Sequence, residues 1–218
     1  MKFIYSITLF TIIFAVSALS QDTHTRIVKG KILDKSNGSP VGVEIQFEDA
    51  RGKKFKIKSN PQTGEYEQLL NANEKYMLTF IDMNVLRNEI SFTPSAPDES
   101  YEPELKNFNV IVLKPGNQID ELDLFNLNSN DFSSNSATIL KDLKTMLRIN
   151  RALYVNFEVC NDGSDSNTNS ARLESLKTEI AKWGRLGEKV NLKLSNKKGA
   201  NSSSDLLIFV DKVEDSLK

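Results

Sequence analysis

Two hydrophobic periods run along this chain. From Arg26 to Leu113 the apolar positions alternate with polar ones or come in short runs bounded by turn residues. Ile27-Val28 and Ile32-Leu33 predict a first strand, followed by the turn cluster Asn37-Gly38-Ser39-Pro40. Val41, Val43, Ile45 and Phe47 alternate with Gly42, Glu44 and Gln46. Successive side chains of a strand point to opposite sides, so this run predicts a strand with one buried face. Arg51-Gly52 turns the chain, Phe55 and Ile57 alternate back, and Thr63-Gly64 turns it again before Tyr66 and Leu69-Leu70. Further strands are predicted over Tyr76 to Ile81, at Ile90 to Phe92 and from Val110 to Leu113. No helical stripe interrupts them. The expected fold of residues 26–114 is an all-β antiparallel sandwich.

After Pro115-Gly116, a candidate linker, the period changes. Ile119 to Leu127 predicts a strand, and Ser129 to Ser136 a polar loop. Ile139, Leu140, Leu143, Met146 and Leu147 recur at helical spacing. Leu153, Val155, Phe157 and Val159 then alternate as a strand. Asn161 to Ser170 reads as a polar loop. Leu173, Leu176, Ile180 and Trp183 form a second helical stripe closed by Gly184. Val190, Leu192 and Leu194 predict another strand, Ser195 to Ser204 another loop, and Leu206 to Val210 a last strand. The expected order over residues 117–214 is βαβαββ, a two-layer α+β domain with its helices on one face. Two domains therefore follow from the pattern, meeting near Pro115-Gly116.

The first twenty residues change the picture. Met1-Lys2 precedes an almost unbroken apolar run from Phe3 to Leu19, and Ala18-Leu19-Ser20 sets small residues at a cleavage position before Gln21. Residues 1–20 thus read as a secretory signal peptide, with a retained membrane anchor as the alternative. No later stretch is apolar and long enough to span a bilayer, so the mature chain is expected to have no transmembrane segment. Export would place it in the periplasm or at the periphery of an outer membrane. Cys160 is the single cysteine, so no internal disulfide can form and packing must supply stability. The formal net charge of −1 gives no bulk attraction to nucleic acid.

Short motifs add a resemblance in each half. Val28-Lys29-Gly30-Lys31-Ile32-Leu33-Asp34, Gly38-Ser39-Pro40-Val41 and Thr63-Gly64-Glu65-Tyr66 make residues 26–114 resemble the carboxypeptidase regulatory-like, or transthyretin-like, domain. That accessory domain implies no peptidase activity. In the second half, Leu124-Phe125-Asn126-Leu127-Asn128-Ser129 stands where OmpA-like peptidoglycan-associating domains have an apolar strand, a Phe and an Asn-Ser. The helix from Ser136 with Asn150 beyond it, the strand Tyr154 to Glu158, and the run from Arg172 to Trp183-Gly184 extend the likeness. Fusions of such a sandwich to an OmpA-like domain resemble outer-membrane proteins of the Bacteroidetes.

The second resemblance implies a ligand site. By position, Asp162 and Arg172 match the family's Asp and Arg that grip the diaminopimelate of peptidoglycan. The chemistry is coherent, since a guanidinium fork matches a carboxylate and a carboxylate matches an ammonium. The sequence departs from the pattern around both residues. The family's Gly-His-Thr-Asp reads Val159-Cys160-Asn161-Asp162, the loop to Arg172 is shorter, and Thr168-Asn169 replaces Leu-Ser. Ser203-Ser204-Asp205 occupies the region of the family's late Asn-Arg-Arg. The alternative is that Asp162 ends a strand and Arg172 lies on a solvated helix face.

Other chemistry is thin. Cys160 could be a nucleophile, and the strand period leaves it partly exposed, but the only histidine is His24. Asp162-Gly163-Ser164-Asp165-Ser166-Asn167 offers oxygen ligands without the spacing of a calcium loop. No nucleophile–base pair, phosphate loop or metal-ligand cluster stands out, so neither catalysis nor a cofactor is expected. The expected function is a non-enzymatic envelope protein that associates with peptidoglycan through residues 117–214. The alternative is a protein-interaction module of an envelope secretion or motility assembly whose peptidoglycan pocket has decayed, with envelope proteins as partners.

Overall fold

The structure is a computed structural model, and it describes residues 25–96, 102–160, 166–199, 201 and 204–214. The leader predicted over residues 1–20 lies outside them. The described residues are mostly β, with three small sheets and two α-helices. Among the described residues no helix is long and apolar enough to cross a membrane.

The first two sheets face each other. One holds β4 (Glu65–Asn71), β1 (Thr25–Asp34) and β7 (Glu104–Leu105), with β8 (Phe108–Val110) also paired to β1. The other runs β3 (Lys54–Lys58), β2 (Glu44–Glu48), β5 (Tyr76–Phe80) and β6 (Glu89–Phe92). Alternation decides which side of each strand is inside. Val28 and Ile32 of β1 pack against Ile45 and Phe47 of β2 and Leu78 and Phe80 of β5 in one core. Each such fully buried side chain stabilises the fold by about 1.5–3 kcal/mol. The opposite faces are charged and carry cross-strand pairs such as Lys29–Glu67 at 2.9 Å and Lys54–Glu48 at 3.1 Å.

The sandwich departs from the expected all-antiparallel pattern. β7 and β8 both run parallel to β1. The chain leaves β6 in one sheet and returns to the other, where β4 already occupies one edge of β1; the remaining edge is filled in the same direction as β1. The predicted strand from Val41 also starts late, at Glu44. Val41 and Val43 are buried as the alternation requires, but Pro40 makes only an isolated bridge with Leu33. Ser59 replaces the ladder there: its Oγ donates to the Val41 carbonyl at 2.8 Å and accepts from the Val43 N–H at 2.9 Å. The apolar run expected from Val110 to Leu113 is likewise a strand only at its start, with Val112 bridging Val85.

The third sheet has the order β11 (Val190–Leu194), β10 (Leu153–Val159), β12 (Leu206–Val213), β9 (Gln118–Leu122). β10 pairs parallel with β11 and antiparallel with β12, which pairs antiparallel with β9. Helix α1 (Ser136–Ile149) follows β9, and α2 (Ser166–Ala181) follows β10. Leu140, Leu143 and Leu147 of α1 and Leu176 and Ile180 of α2 share a core with Val155, Phe157 and Val159. Helix α2 begins inside the segment expected to be loop, and β9 ends well before Leu127.

One joint links this core to the sandwich. The Leu86 N–H donates to the Ile111 carbonyl at 2.8 Å, and the Leu113 N–H to the Asn84 carbonyl at 2.7 Å. Along the two segments the side chains alternate between cores. Val85 and Val112 enter the sandwich, whereas Leu86, Ile111 and Leu113 pack against the helical half.

Candidate functional site

Arg172 is the residue to follow. It sits on α2, whose buried stripe is Asn169, Arg172, Leu176 and Ile180. The helical period therefore points a guanidinium, not an apolar group, into the protein, and Arg172 is 0% exposed. A solvated position for this side chain is ruled out by that burial. Its fork is met by the chain itself. Nε donates to the Ser129 carbonyl at 2.8 Å and Nη2 to the Asn126 carbonyl at 2.9 Å. Nη1 reaches Asn169 Oδ1 at 3.4 Å, and the guanidinium carbon lies 5.4 Å from the centre of the Phe125 ring. Phe125 is stacked in turn on Phe132, with centroids 4.9 Å apart.

Those carbonyls belong to the turn between β9 and α1, and a second buried charge holds the same turn. Asp205, 1% exposed, immediately precedes β12. Its Oδ1 accepts from the Leu124 N–H at 2.9 Å and its Oδ2 from the Phe125 N–H at 2.7 Å. These two bonds fix the N–H groups of the turn just beyond the end of β9. Burial pushes the Asp205 carboxyl up to about 6; the two N–H donors and the nearby positive charge of Arg172 pull in the other direction. One turn is thus fixed from both sides, its N–H groups by an acid and its carbonyls by an arginine.

The other predicted position, Asp162, lies outside the described residues. So do Asn161 to Asp165 of the oxygen-rich loop, while Ser166 and Asn167 are helical. Cys160 is buried rather than partly exposed, and its Sγ donates to the Ser204 carbonyl at 3.0 Å. It lies on the side of the sheet opposite Val159 and the helix-packed core, not near a helix face as expected. There it meets Leu207 and Phe209 in a small separate cluster, so that side of the sheet is not open to solvent at this point. Among the described residues no three His, Cys, Asp or Glu side chains come together as a metal-binding group. Asp205 was missed by sequence reasoning. Its signal was an acid set directly against the apolar run Leu206 to Val210.

No family model matches the chain, and no curated protein does. Solved structures give partial overlaps. A candidate carbohydrate-binding protein from Bacteroides uniformis is 20% identical, with a TM-score of 0.33, over 45% of this chain and 48% of its own. A DUF3823 family protein from Bacteroides ovatus is 17% identical, with a TM-score of 0.32, over 45% of this chain and 52% of its own. A C-terminal fragment of the pilus adhesin SpaC from Lactobacillus rhamnosus is 13% identical, with a TM-score of 0.28, over 43% of this chain and 37% of its own. The chain thus matches about half the length of the first two, and such TM-scores settle nothing about shared activity.

Proposed function

We propose that this is a non-enzymatic, exported envelope protein that works as a protein-interaction module. In this reading the first half is a carboxypeptidase regulatory-like sandwich. The second half is a divergent OmpA-like domain of βαβαββ order that has turned its ligand arginine to a structural use. The single observation that carries the reading is the engagement of Arg172. A guanidinium that is fully buried and donates to the Ser129 and Asn126 carbonyls is already spent on its own chain. A diaminopimelate carboxylate would have to compete with both bonds and reach a guanidinium that has no solvent exposure.

Sedimentation with purified peptidoglycan sacculi tests this directly. The mature protein is expected to stay in the supernatant at low micromolar concentration. Saturable co-sedimentation would overturn the reading and restore peptidoglycan as the ligand. Export is tested separately, by N-terminal sequencing of protein recovered from the native envelope. The expected start is near Gln21; an intact Met1 would replace export and cleavage with a retained anchor.

A further inference from the structure

A cleft of about 900 Å³ runs between the outer face of the β3-β2-β5-β6 sheet and the junction of α1 with β10. Unlike the buried Arg172 region, it is open and two-walled. Asn150, just past α1, pins its two walls together. The Arg87 N–H donates to Asn150 Oδ1 at 2.8 Å, and Asn150 Nδ2 donates back to the Arg87 carbonyl at 3.2 Å. Asn150 is itself held by the helix, since its Nδ2 also donates to the Met146 carbonyl at 2.9 Å. The cleft is therefore preformed.

Its charges are unbalanced. In a chain of formal net charge −1 the lining includes five cations, Lys54, Lys56, Arg87, Arg148 and Arg151, against the carboxylates of Glu48, Asp82 and Glu89. The lysines are already matched: Lys54 with Glu48 at 3.1 Å and Lys56 with Glu44 at 2.8 Å. Asp82 is occupied by the Glu44 N–H at 2.9 Å. Arg148 and Arg151 are exposed and, among the described residues, have no carboxylate within 4.0 Å. Beside this cationic end, Met83 from one wall and Ile149 from the other remain 44% and 37% exposed.

We propose that this cleft docks an extended segment of a protein partner in which acidic and apolar side chains are mixed. The inference rests on the interaction-module reading above and gives that module a site and a partner chemistry. Arginine forks pair bidentately with carboxylates. Methionine adapts its shape to whatever apolar group it meets. An acidic polysaccharide fits less well, because among the described residues no aromatic ring lines the cleft to stack on a sugar face.

The methionines provide the readout. Met77 and Met83 line the cleft, while Met146 faces the helical core. In the full mature chain, with methionine methyl groups labelled for NMR, a short synthetic peptide of glutamates interspersed with leucines should shift the Met77 and Met83 signals saturably. The Met146 signal should stay in place. The double variant Arg148→Glu/Arg151→Glu should weaken binding by about tenfold, because attraction becomes repulsion. Lys177→Glu, on the exposed side of α2, should leave it unchanged. The proposal fails if the peptide gives no saturable shift, if a basic peptide shifts the same signals equally, or if only a uronate oligosaccharide does so. None of these arms involves sacculi. A negative peptide result for a protein that also ignores sacculi therefore removes this site and leaves the interaction reading standing.

Discussion

The two halves of the molecule bury their charges differently. In the sandwich, buried acids close local turns. Asp34 accepts from the N–H and hydroxyl of Ser36, two residues on, and Asp49 accepts from the N–H groups of Arg51 and Lys53. In the helical half, buried charges join elements far apart in sequence. Asp205 holds N–H groups about eighty positions before it, and Arg172 holds carbonyls more than forty positions before it. A local acid shapes a turn that the strands on either side would bring together anyway. A long-range charge is the tie itself, so its loss releases a segment that nothing nearby replaces.

Arg172→Ala should therefore be the most damaging of the single substitutions considered. It deletes the bonds to Ser129, Asn126 and Asn169 and removes the positive charge that pulls the buried Asp205 carboxyl down. Removing one partner of a buried charged cluster costs about 3–5 kcal/mol. Urea denaturation followed by near-UV circular dichroism should show a large fall in midpoint. Arg172→Lys should recover only part of it, since one ammonium cannot reproduce the planar fork that reaches Ser129 and Asn126. A midpoint like that of the wild type in Arg172→Ala would mean the arginine is free for a ligand after all.

Asp205→Asn comes next. Both carboxylate oxygens accept N–H groups, so an amide must turn its own NH2 toward one of those donors. Leaving one donor unsatisfied costs about 1–3 kcal/mol. The substitution should also remove a pH dependence. Burial pushes the folded carboxyl up to about 6, against its ordinary 3.8. Between these two the folded state binds the proton more tightly than the unfolded state. The stability owed to that proton is complete below 3.8 and is lost as pH rises through about 6. The wild-type midpoint minus that of Asp205→Asn should therefore shrink from pH 4 to pH 7. A difference that grew with pH would show that the two N–H donors, not burial, dominate.

How much of this was legible in the sequence follows from the same contrast. Alternation placed β10 at Leu153–Val159 and β11 at Val190–Leu194, since each strand has one apolar face. The start of α2 was hidden because its buried stripe opens with Asn169 and Arg172, and a hydrophobic period sees nothing before Leu173. The turn that follows β9 was hidden because the acid that holds its N–H groups, Asp205, lies about eighty residues further on. Arg172 could be singled out by its likeness to a family motif, but its partners could not, because they are main-chain carbonyls of a distant turn and backbone carbonyls leave no sequence signature. The late start of β2 was readable in principle, given Pro40, although the substitute hydrogen bonds from Ser59 were not.

Asp49→Asn should have the smallest effect, and it makes the sharpest comparison because the chemical change is the one made at Asp205. Here a single oxygen, Oδ1, accepts both turn N–H groups, at 2.9 and 2.8 Å. An asparagine oxygen can take over both bonds. The other oxygen faces only the guanidinium of Arg51 at 3.6 Å, and that arginine is 75% exposed, so the pair is screened by water. The denaturation midpoint at neutral pH should lie close to that of the wild type. The pH dependence should have the opposite sign to that of Asp205. The Lys53 N–H is the largest influence holding the Asp49 carboxyl below its usual 3.8, with the Arg51 N–H and the charges of both residues acting the same way against the desolvation that raises it. The stability it contributes is therefore present above 3.8 and lost as pH falls through the lower folded value. A strongly destabilised Asp49→Asn at neutral pH would show that a local turn can be as decisive as a long-range tie, and the distinction between the halves would fall with it.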